Sequence, residues 1–402
     1  MLIPELGYGG AEKSFISLSN VLRASNEVTI VVFQNNYREH YSSSFEVKPL
    51  SEVIALDDKV YAVGVFGRWY CRWKELNKLK LNHDVCISFL SGANLLNVLS
   101  SRRIPSIVSV RGSISLDYSI ASFSLCFWKT ILMPLTHMLA EHVVTSSTGL
   151  KEEICRSMLK VHRAKVSAIE GYVDSKSLVH DSDDFIEREV SSLGDSPLLI
   201  LCGRLDKVKG FNHVIRVFVV AKEKVPDARL LVIGDGPELN SLTILCKQNN
   251  LSVANGLSEL IASPNSDVVF LGYRMKPIRY FKLARALVLS SLNEGIPNVL
   301  IEGVASGVRC IASDCSPGIR LVLSNDPTKI IHASLPVEVE HGIIMPRIEE
   351  QSNEAVWVMS LISSLQAMPH KRLSREFREK SILKFDVRKS GKEWINLIRD
   401  LN

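Results

Sequence analysis

Glu294 and Glu302 stand at the two ends of the run Glu-Gly-Ile-Pro-Asn-Val-Leu-Ile-Glu, and they are the most informative residues of the chain. They follow the apolar stretch Ala286 to Ser291, which reads as a buried parallel strand. Asn293 to Ile296 then reads as a tight turn and Pro297 as the first residue of a helix, where its fixed φ and missing N–H are tolerated. One carboxylate is therefore expected on the turn at the strand's carboxyl end, the other a little over one turn into the helix. A helix N-terminus at that end of a parallel strand attracts anions, and flanking acids can accept from the hydroxyls of whatever carries the anion. The combination suits a sugar nucleotide.

A second segment asks for the same ligand. Leu198 to Cys202 reads as a short apolar strand, followed by Gly203-Arg204-Leu205-Asp206-Lys207-Val208-Lys209-Gly210 and an amphipathic helix from Phe211. Gly203 and Gly210 permit close backbone approach. Arg204 offers a planar fork and Lys209 a point charge for a diphosphate, while Lys207 reads as solvated. No Gly-Lys-Ser/Thr follows, so this is not a Walker loop. Near the start, Gly9 and Gly10 open a helix whose first amides could approach phosphate or acceptor, and Glu12 reads as a first-turn capping acid.

Taken in order, these fragments resemble the retaining glycosyltransferases of family 4. The similar segments are Gly9 to Lys13, Gly203 to Gly210, Val232 to Glu238, Val269 to Tyr273, the Glu-x7-Glu element from Glu294 to Glu302, and Ala312 to Cys315. The resemblance implies an α/β chain of the GT-B fold, two Rossmann-like doubly wound domains facing a central cleft. It implies an acceptor-binding domain over 1–172, a nucleotide-sugar domain over 190–375, and a C-terminal helix over 376–402 that crosses back to the first domain. It also implies roles. Glu302 takes the donor ribose, Glu294 orients the donor sugar near its phosphate, and Arg204 with Lys209 holds the diphosphate and stabilises the leaving group. Gly9, Gly10, Gly203, Gly295, Asn298 and Val299 complete the donor site. Arg111 stands where many relatives have a histidine that touches the donor sugar, and counts here as a catalytic candidate. Two further departures are Gly171-Tyr172 where relatives carry Asn-Pro, and Leu321 where they usually carry a glutamate.

The activity so implied is a retaining hexosyltransferase. It would move a hexose or N-acetylhexosamine from a UDP-sugar to a glycan acceptor, plausibly lipid-linked, in surface polysaccharide biosynthesis. The leaving phosphate would act as base in a same-face attack. No cofactor and no metal are expected, since basic groups can replace a cation at a diphosphate. An epimerase or a phosphorylase on the same fold, or a catalytically silent sugar-nucleotide-binding partner, are the competing readings.

These residues must be positioned by a large scaffold. A length of 402 residues suits two domains, and 46% hydrophobic with 23% charged residues describes a folded chain. The net charge of +5 comes from 48 basic against 43 acidic residues, without a basic run interleaved with stacking aromatics, so nucleic acid is not an expected partner. Between Lys59 and Lys129, however, basic residues outnumber acidic ones and lie among Phe66, Trp69, Tyr70, Trp73, Phe123, Phe127 and Trp128. That stretch could rest on an inner membrane surface or form an ordinary solvated helix with its aromatics in the core. The eight cysteines lack a Cys-x-x-Cys pair, which suits a reducing cytoplasm, and the location expected is cytoplasmic and peripheral to the membrane's cytoplasmic face. Neither a signal peptide nor a spanning helix is read, and Ile114 to Ala140 is interrupted by Asp117, Lys129, Pro134 and His137.

Strands are expected at Met1–Glu5, Val28–Phe33, Val85–Phe89, Ser106–Val110 and Val143–Ser146, with helices at Ala11–Leu22, Tyr70–Lys80, Phe123–Ala140 and Gly149–Met158. This alternation predicts a parallel doubly wound sheet. The first strand is short. Further strands are expected from Leu198, Arg229, Val268, Ala286 and Arg309, and a charged helical tail over Ser374 to Asn402. The acidic stretch between Tyr172 and Pro197 reads as an interdomain connection.

Overall fold

The computed structural model describes residues 1–6, 9–34, 53–59, 64–112, 127–157, 165–324, 333–349, 351–368 and 374–401. The expected Phe123–Ala140 helix lies partly outside these residues, as does Cys126. The chain divides into two compact units, Met1–Asp174 with Lys384–Asn402, and Ser175–Leu383.

The first unit is built on a seven-stranded parallel sheet in the order β3-β2-β1-β4-β5-β6-β7. Its strands are β1 Leu2–Ile3, β2 Ile30–Val32, β3 Val53–Ala55, β4 Cys86–Phe89, β5 Ser106–Val110, β6 His142–Thr145 and β7 Val166–Ala168. Every residue of β1, β2, β4 and β6 is buried, as the apolar runs require of strands covered on both faces. Helices Gly10–Leu22, Val65–Lys80, Ser91–Leu99, Met133–Leu139 and Thr148–Ser157 cover it. The last helix of the chain, Val387–Leu401, packs on Gly10–Leu22. Gly391 makes the approach possible, because a Cβ there would lie 2.3 Å from Val21 Cγ1. Trp394 is fully buried beside Phe89 and donates from Nε1 to the Tyr172 hydroxyl at 3.1 Å.

The second unit holds an eight-stranded sheet in the order β10-β11-β9-β8-β12-β13-β15-β14. The strands are β8 Leu198–Cys202, β9 Arg229–Ile233, β10 Val253–Asn255, β11 Val268–Gly272, β12 Ala286–Leu289, β13 Cys310–Ser313, β14 Val337–Val339 and β15 Gly342–Met345. All pairings are parallel except β14 with β15. Strand order reverses between β8 and β12 here, and between β1 and β4 in the first unit. Such a reversal point is where an open α/β sheet forms its ligand crevice.

The acidic stretch after Tyr172 corrects the expectation of a connection. Ser175–Asp181 and Arg188–Ser191 are helices, and Val179, Ser182, Ile186, Val190 and Leu193 are buried in the second unit. Its acids pair with the basic residues around the helix Ile278–Phe281. Lys276 Nζ lies 2.8 Å from Asp181 Oδ1 and Arg279 Nη2 lies 3.2 Å from Glu187 Oε1. Local charge therefore marked a docking surface there, and composition alone could not separate that from a linker. No described helix is long and apolar enough to cross a membrane.

Candidate active site

β8 and β12 are neighbours, and the turns at their carboxyl ends meet. After β8, Asp206 accepts at Oδ1 from the Lys209 amide at 3.2 Å and so caps the single helical turn Lys207–Lys209. The chain then reverses through Gly210, whose φ of +63° suits glycine and whose Cβ, if present, would lie 2.4 Å from the Ser290 carbonyl oxygen. Ser290 Oγ donates to the Lys209 carbonyl at 2.7 Å, and the Leu292 amide donates to the Val208 carbonyl at 2.8 Å. The basic loop is thereby stitched to the end of β12.

This stitching brings Lys209 Nζ to 2.5 Å from Glu294 Oε1, across 85 positions of sequence. The same Oε1 accepts from Ser291 Oγ at 2.7 Å. Their side chains are 22% and 12% exposed, so the pair is largely shielded. Burial opposes the charge on Lys209, but Glu294, by attraction and hydrogen bonding, and Asp206 hold its pKa above the ordinary lysine value. Cys315, half-buried beside these groups, has its thiol pushed well up, chiefly by loss of solvent around the sulfur and further by Glu294. Arg204 behaves differently. Its side chain is 68% exposed, and its Nε donates to Asp206 Oδ2 at 2.8 Å.

Glu302 sits in the helix Asn298–Ser306 and is only 7% exposed. Pro297 is the residue before this helix and not its first residue, with extended ψ of 112°. A proline fits there because the preceding turn runs extended. Asn298 and Val299 form the helix's first turn, and Gly295 lies on the turn before it. Gly318 supports that turn from below, since a Cβ on it would lie 1.8 Å from the Gly295 carbonyl oxygen. Ser316 Oγ also donates to that oxygen at 3.2 Å.

Of the predicted site residues, Gly203, Arg204, Lys209, Glu294, Gly295, Asn298, Val299 and Glu302 all belong to the second unit. Gly9, Gly10 and Arg111 belong to the first. Gly9 precedes the helix Gly10–Leu22 as its N-cap; a Cβ on it would meet only the movable Glu12 carboxylate, so sterics do not demand glycine there. Sequence reasoning missed Asp206, Ser290, Ser291, Ser316 and Gly318. For Asp206 a signal existed, an acid three residues before Lys209. The serines and Gly318 carry none, because their partners are distant in sequence.

Beside the Glu294 turn lies a cavity of about 400 Å³, lined by Asp314, Cys315, Ser316, Arg320, Arg347 and Asn353 among others. Arg347 Nη2 donates to the Leu292 carbonyl at 3.2 Å. Arg320 holds Asp314 through two bonds of 2.8 Å in a bidentate pair. The chain carries an Asp-x-Asp triplet, Asp181-Ser182-Asp183. Lys276 Nζ contacts Asp181 and Asp184 at 2.8 and 3.4 Å, and Arg378 Nη2 lies 3.6 Å from Asp183, so protein cations already serve these carboxylates.

The arrangement is a cation and two carboxylates gathered at the reversal point of a parallel sheet, with a helix start between the carboxylates. It can bind a diphosphate and a polyol together.

Residues 182–334 match the family model described as Glycosyl transferases group 1. The chain is 27% identical over 272 residues to an uncharacterized glycosyltransferase of Methanocaldococcus jannaschii, an alignment covering 64% of this chain and 63% of that protein. It is 23% identical over 340 residues, 81% of this chain and 83% of the relative, to a Campylobacter jejuni protein. That relative is named N-acetylgalactosamine-N,N'-diacetylbacillosaminyl-diphospho-undecaprenol 4-alpha-N-acetylgalactosaminyltransferase. In structure it resembles HepE of Anabaena, solved in complex with UDP, at a TM-score of 0.67 and 15% identity, over 99% of this chain and 98% of that one. That likeness shows the fold, which is GT-B. The residues that match the group 1 glycosyl transferase model, 182–334, all lie within the second unit.

Proposed function

We propose that this protein is a retaining glycosyltransferase of family 4 that moves a hexose or N-acetylhexosamine from a UDP-sugar to a glycan in polysaccharide biosynthesis. The observation that carries this reading is the Lys209–Glu294–Ser291 cluster at the β8/β12 reversal point, with Glu302 buried on the helix that follows. In it, Lys209 keeps two ammonium protons for phosphate oxygens while Glu294 holds the third, so charge developing on the leaving diphosphate meets a preorganised cation. Arg204, exposed and paired only within its own loop, supplies the planar fork. Glu302 accepts from the ribose, and the cavity beside Glu294 has the size of a small-ligand site and offers room for the sugar. Protein cations carry the electrostatic work, and no metal is required.

The UDP bound by Anabaena HepE and the undecaprenol-linked substrate named for the Campylobacter relative support a UDP donor and a lipid-linked acceptor. A peripheral position on the cytoplasmic face of a membrane fits the helix Val65–Lys80. There Phe66, Tyr70 and Trp73 fall at i, i+4 and i+7 and are 92%, 62% and 39% exposed, beside Arg68, Lys74 and Lys78.

Calorimetric titration of UDP, GDP and ADP, with Glu302→Ala alongside, tests the donor assignment. UDP binding that is lost in the variant sends the work to UDP-sugars and to the anomeric configuration of the product. Absence of nucleotide binding sinks the reading, and turnover of a UDP-sugar without acceptor would mark an epimerase instead.

A further inference from the structure

The first unit holds a charged group that the donor site built in the second unit does not use. Arg111 follows β5 directly and is half-buried at that strand's carboxyl end. Its Cζ lies 4.0 Å from the centre of the Tyr172 ring and 5.4 Å from that of Phe89. Both rings are buried and fixed. The Tyr172 hydroxyl donates to the Ile169 carbonyl at 3.2 Å and accepts from Trp394, and Phe89 packs edge-on against Phe15 at 5.3 Å. The guanidinium carbon thus lies over the Tyr172 ring and within reach of the Phe89 ring, a cation held against two fixed aromatic faces.

Among the described residues no carboxylate pairs with it. Arg111 Nη1 is shielded from solvent and has no hydrogen-bond partner. Burial lowers the arginine's pKa, and the side chain opposing that shift is Tyr172, by attraction and hydrogen bonding. Ser109, two residues earlier and so on the same face of β5, pairs in register with Phe89, and its Oγ also lacks a partner. Nearby, the start of the helix Thr148–Ser157 is already served by Glu170, whose Oε1 accepts from the Thr148 amide at 3.2 Å and hydroxyl at 3.1 Å. A shielded cation with an unmade hydrogen bond is costly, and a protein keeps one where a ligand completes it.

We propose that Arg111, stacked on Tyr172, is an oxyanion receptor at the carboxyl edge of the first unit, taking a carboxylate or phosphate group of the substrate that this unit binds. Two of the positions where the chain departs from the resembled pattern, Arg111 and Tyr172, are then one device, the tyrosine holding the fork in place. The inference stands on the first unit's geometry and does not depend on the transferase reading.

The test is calorimetric titration of the full chain with inorganic phosphate and, separately, glucuronate. At least one should bind to the wild type, and Arg111→Met should weaken it at least tenfold. Arg111→Lys, which keeps the charge but loses the fork and the stack, should fall between. Phosphate binding alone points to a diphosphate-bearing substrate, glucuronate binding alone to an acidic sugar. Lys209→Met, in the second unit, removes phosphate bound at the basic loop and should leave the Arg111-dependent part of the response intact. Because the cation is unpaired, Arg111→Met should also unfold at the same or a higher temperature than wild type without anion, and lose the anion-induced rise. Neither anion binding, or binding unchanged in Arg111→Met, overturns the proposal. So does a response lost in Lys209→Met but kept in Arg111→Met. Loss of UDP binding in Glu302→Ala with the anion response retained separates this site from the donor site.

Discussion

The two sheets place a basic side chain at their carboxyl edges in opposite ways. At β8 and β12 the cation is Lys209, held 2.5 Å from Glu294 in a loop fixed by glycines and backbone hydrogen bonds. At β5 it is Arg111, held by ring faces with one nitrogen unpaired. Charge is neutralised within the protein at the first place and left over at the second. A self-neutralised site rests on backbone geometry, so it fails when the backbone is displaced. A cation clamped by aromatics rests on packing, so it tolerates loss of charge and fails when its rings move.

The largest effect should come from Gly318→Ala. Its methyl would fall 1.8 Å from the Gly295 carbonyl oxygen, where no flexible side chain can yield. The turn carrying Glu294 must shift, and we expect a stability loss of about 3 kcal/mol by denaturant unfolding together with loss of nucleotide binding. A variant of wild-type stability would show that the turn is more pliable than the charge pair needs.

Acid should separate the two units next. Burial holds the His137 pKa down at about 4 from the ordinary 6.5. Stability from keeping this imidazole neutral is complete above pH 6.5 and is lost as pH falls toward 4, a loss of about 3 kcal/mol in the first unit. Hydrogen exchange at β6 amides should accelerate over that window in wild type and much less in His137→Gln.

Lys209→Met should cost about 2 kcal/mol, because it strands a shielded Glu294 with Ser291 as its remaining donor. Adding Glu294→Gln should recover about 1 kcal/mol, which a double-mutant cycle of urea midpoints would measure. With the folded pKa of Lys209 raised above 10.5, the pair's contribution is complete at neutral pH and fades only as pH climbs past that value.

The smallest effect on stability belongs to Arg204→Ala, about 0.3 kcal/mol, since its pair with Asp206 is exposed. Its effect on UDP affinity should be tenfold or more by calorimetry. A variant that binds UDP as tightly as wild type would remove Arg204 from the donor site.

The sequence by itself determined the strands β5 and β8 to the residue, and the starts of β9 and β11, because apolar runs bounded by glycine or basic turns leave one choice of period. It also determined that Arg204 and Lys209 lie on the loop after β8, Glu294 on the turn after β12 and Glu302 on the helix that follows, since an apolar strand ended by a polar turn fixes where the next element begins. Tertiary structure alone decided that Lys209 and Glu294 are partners, that Ser291 and Gly318 support them, and that the acidic stretch after Tyr172 docks on Lys276 and Arg279. It alone also placed Arg111 on Tyr172. The physical reason is the same in each case. Periodicity records which way a side chain faces relative to its own element, whereas pairing depends on which strands become neighbours, and strand order is set by packing across the whole sheet.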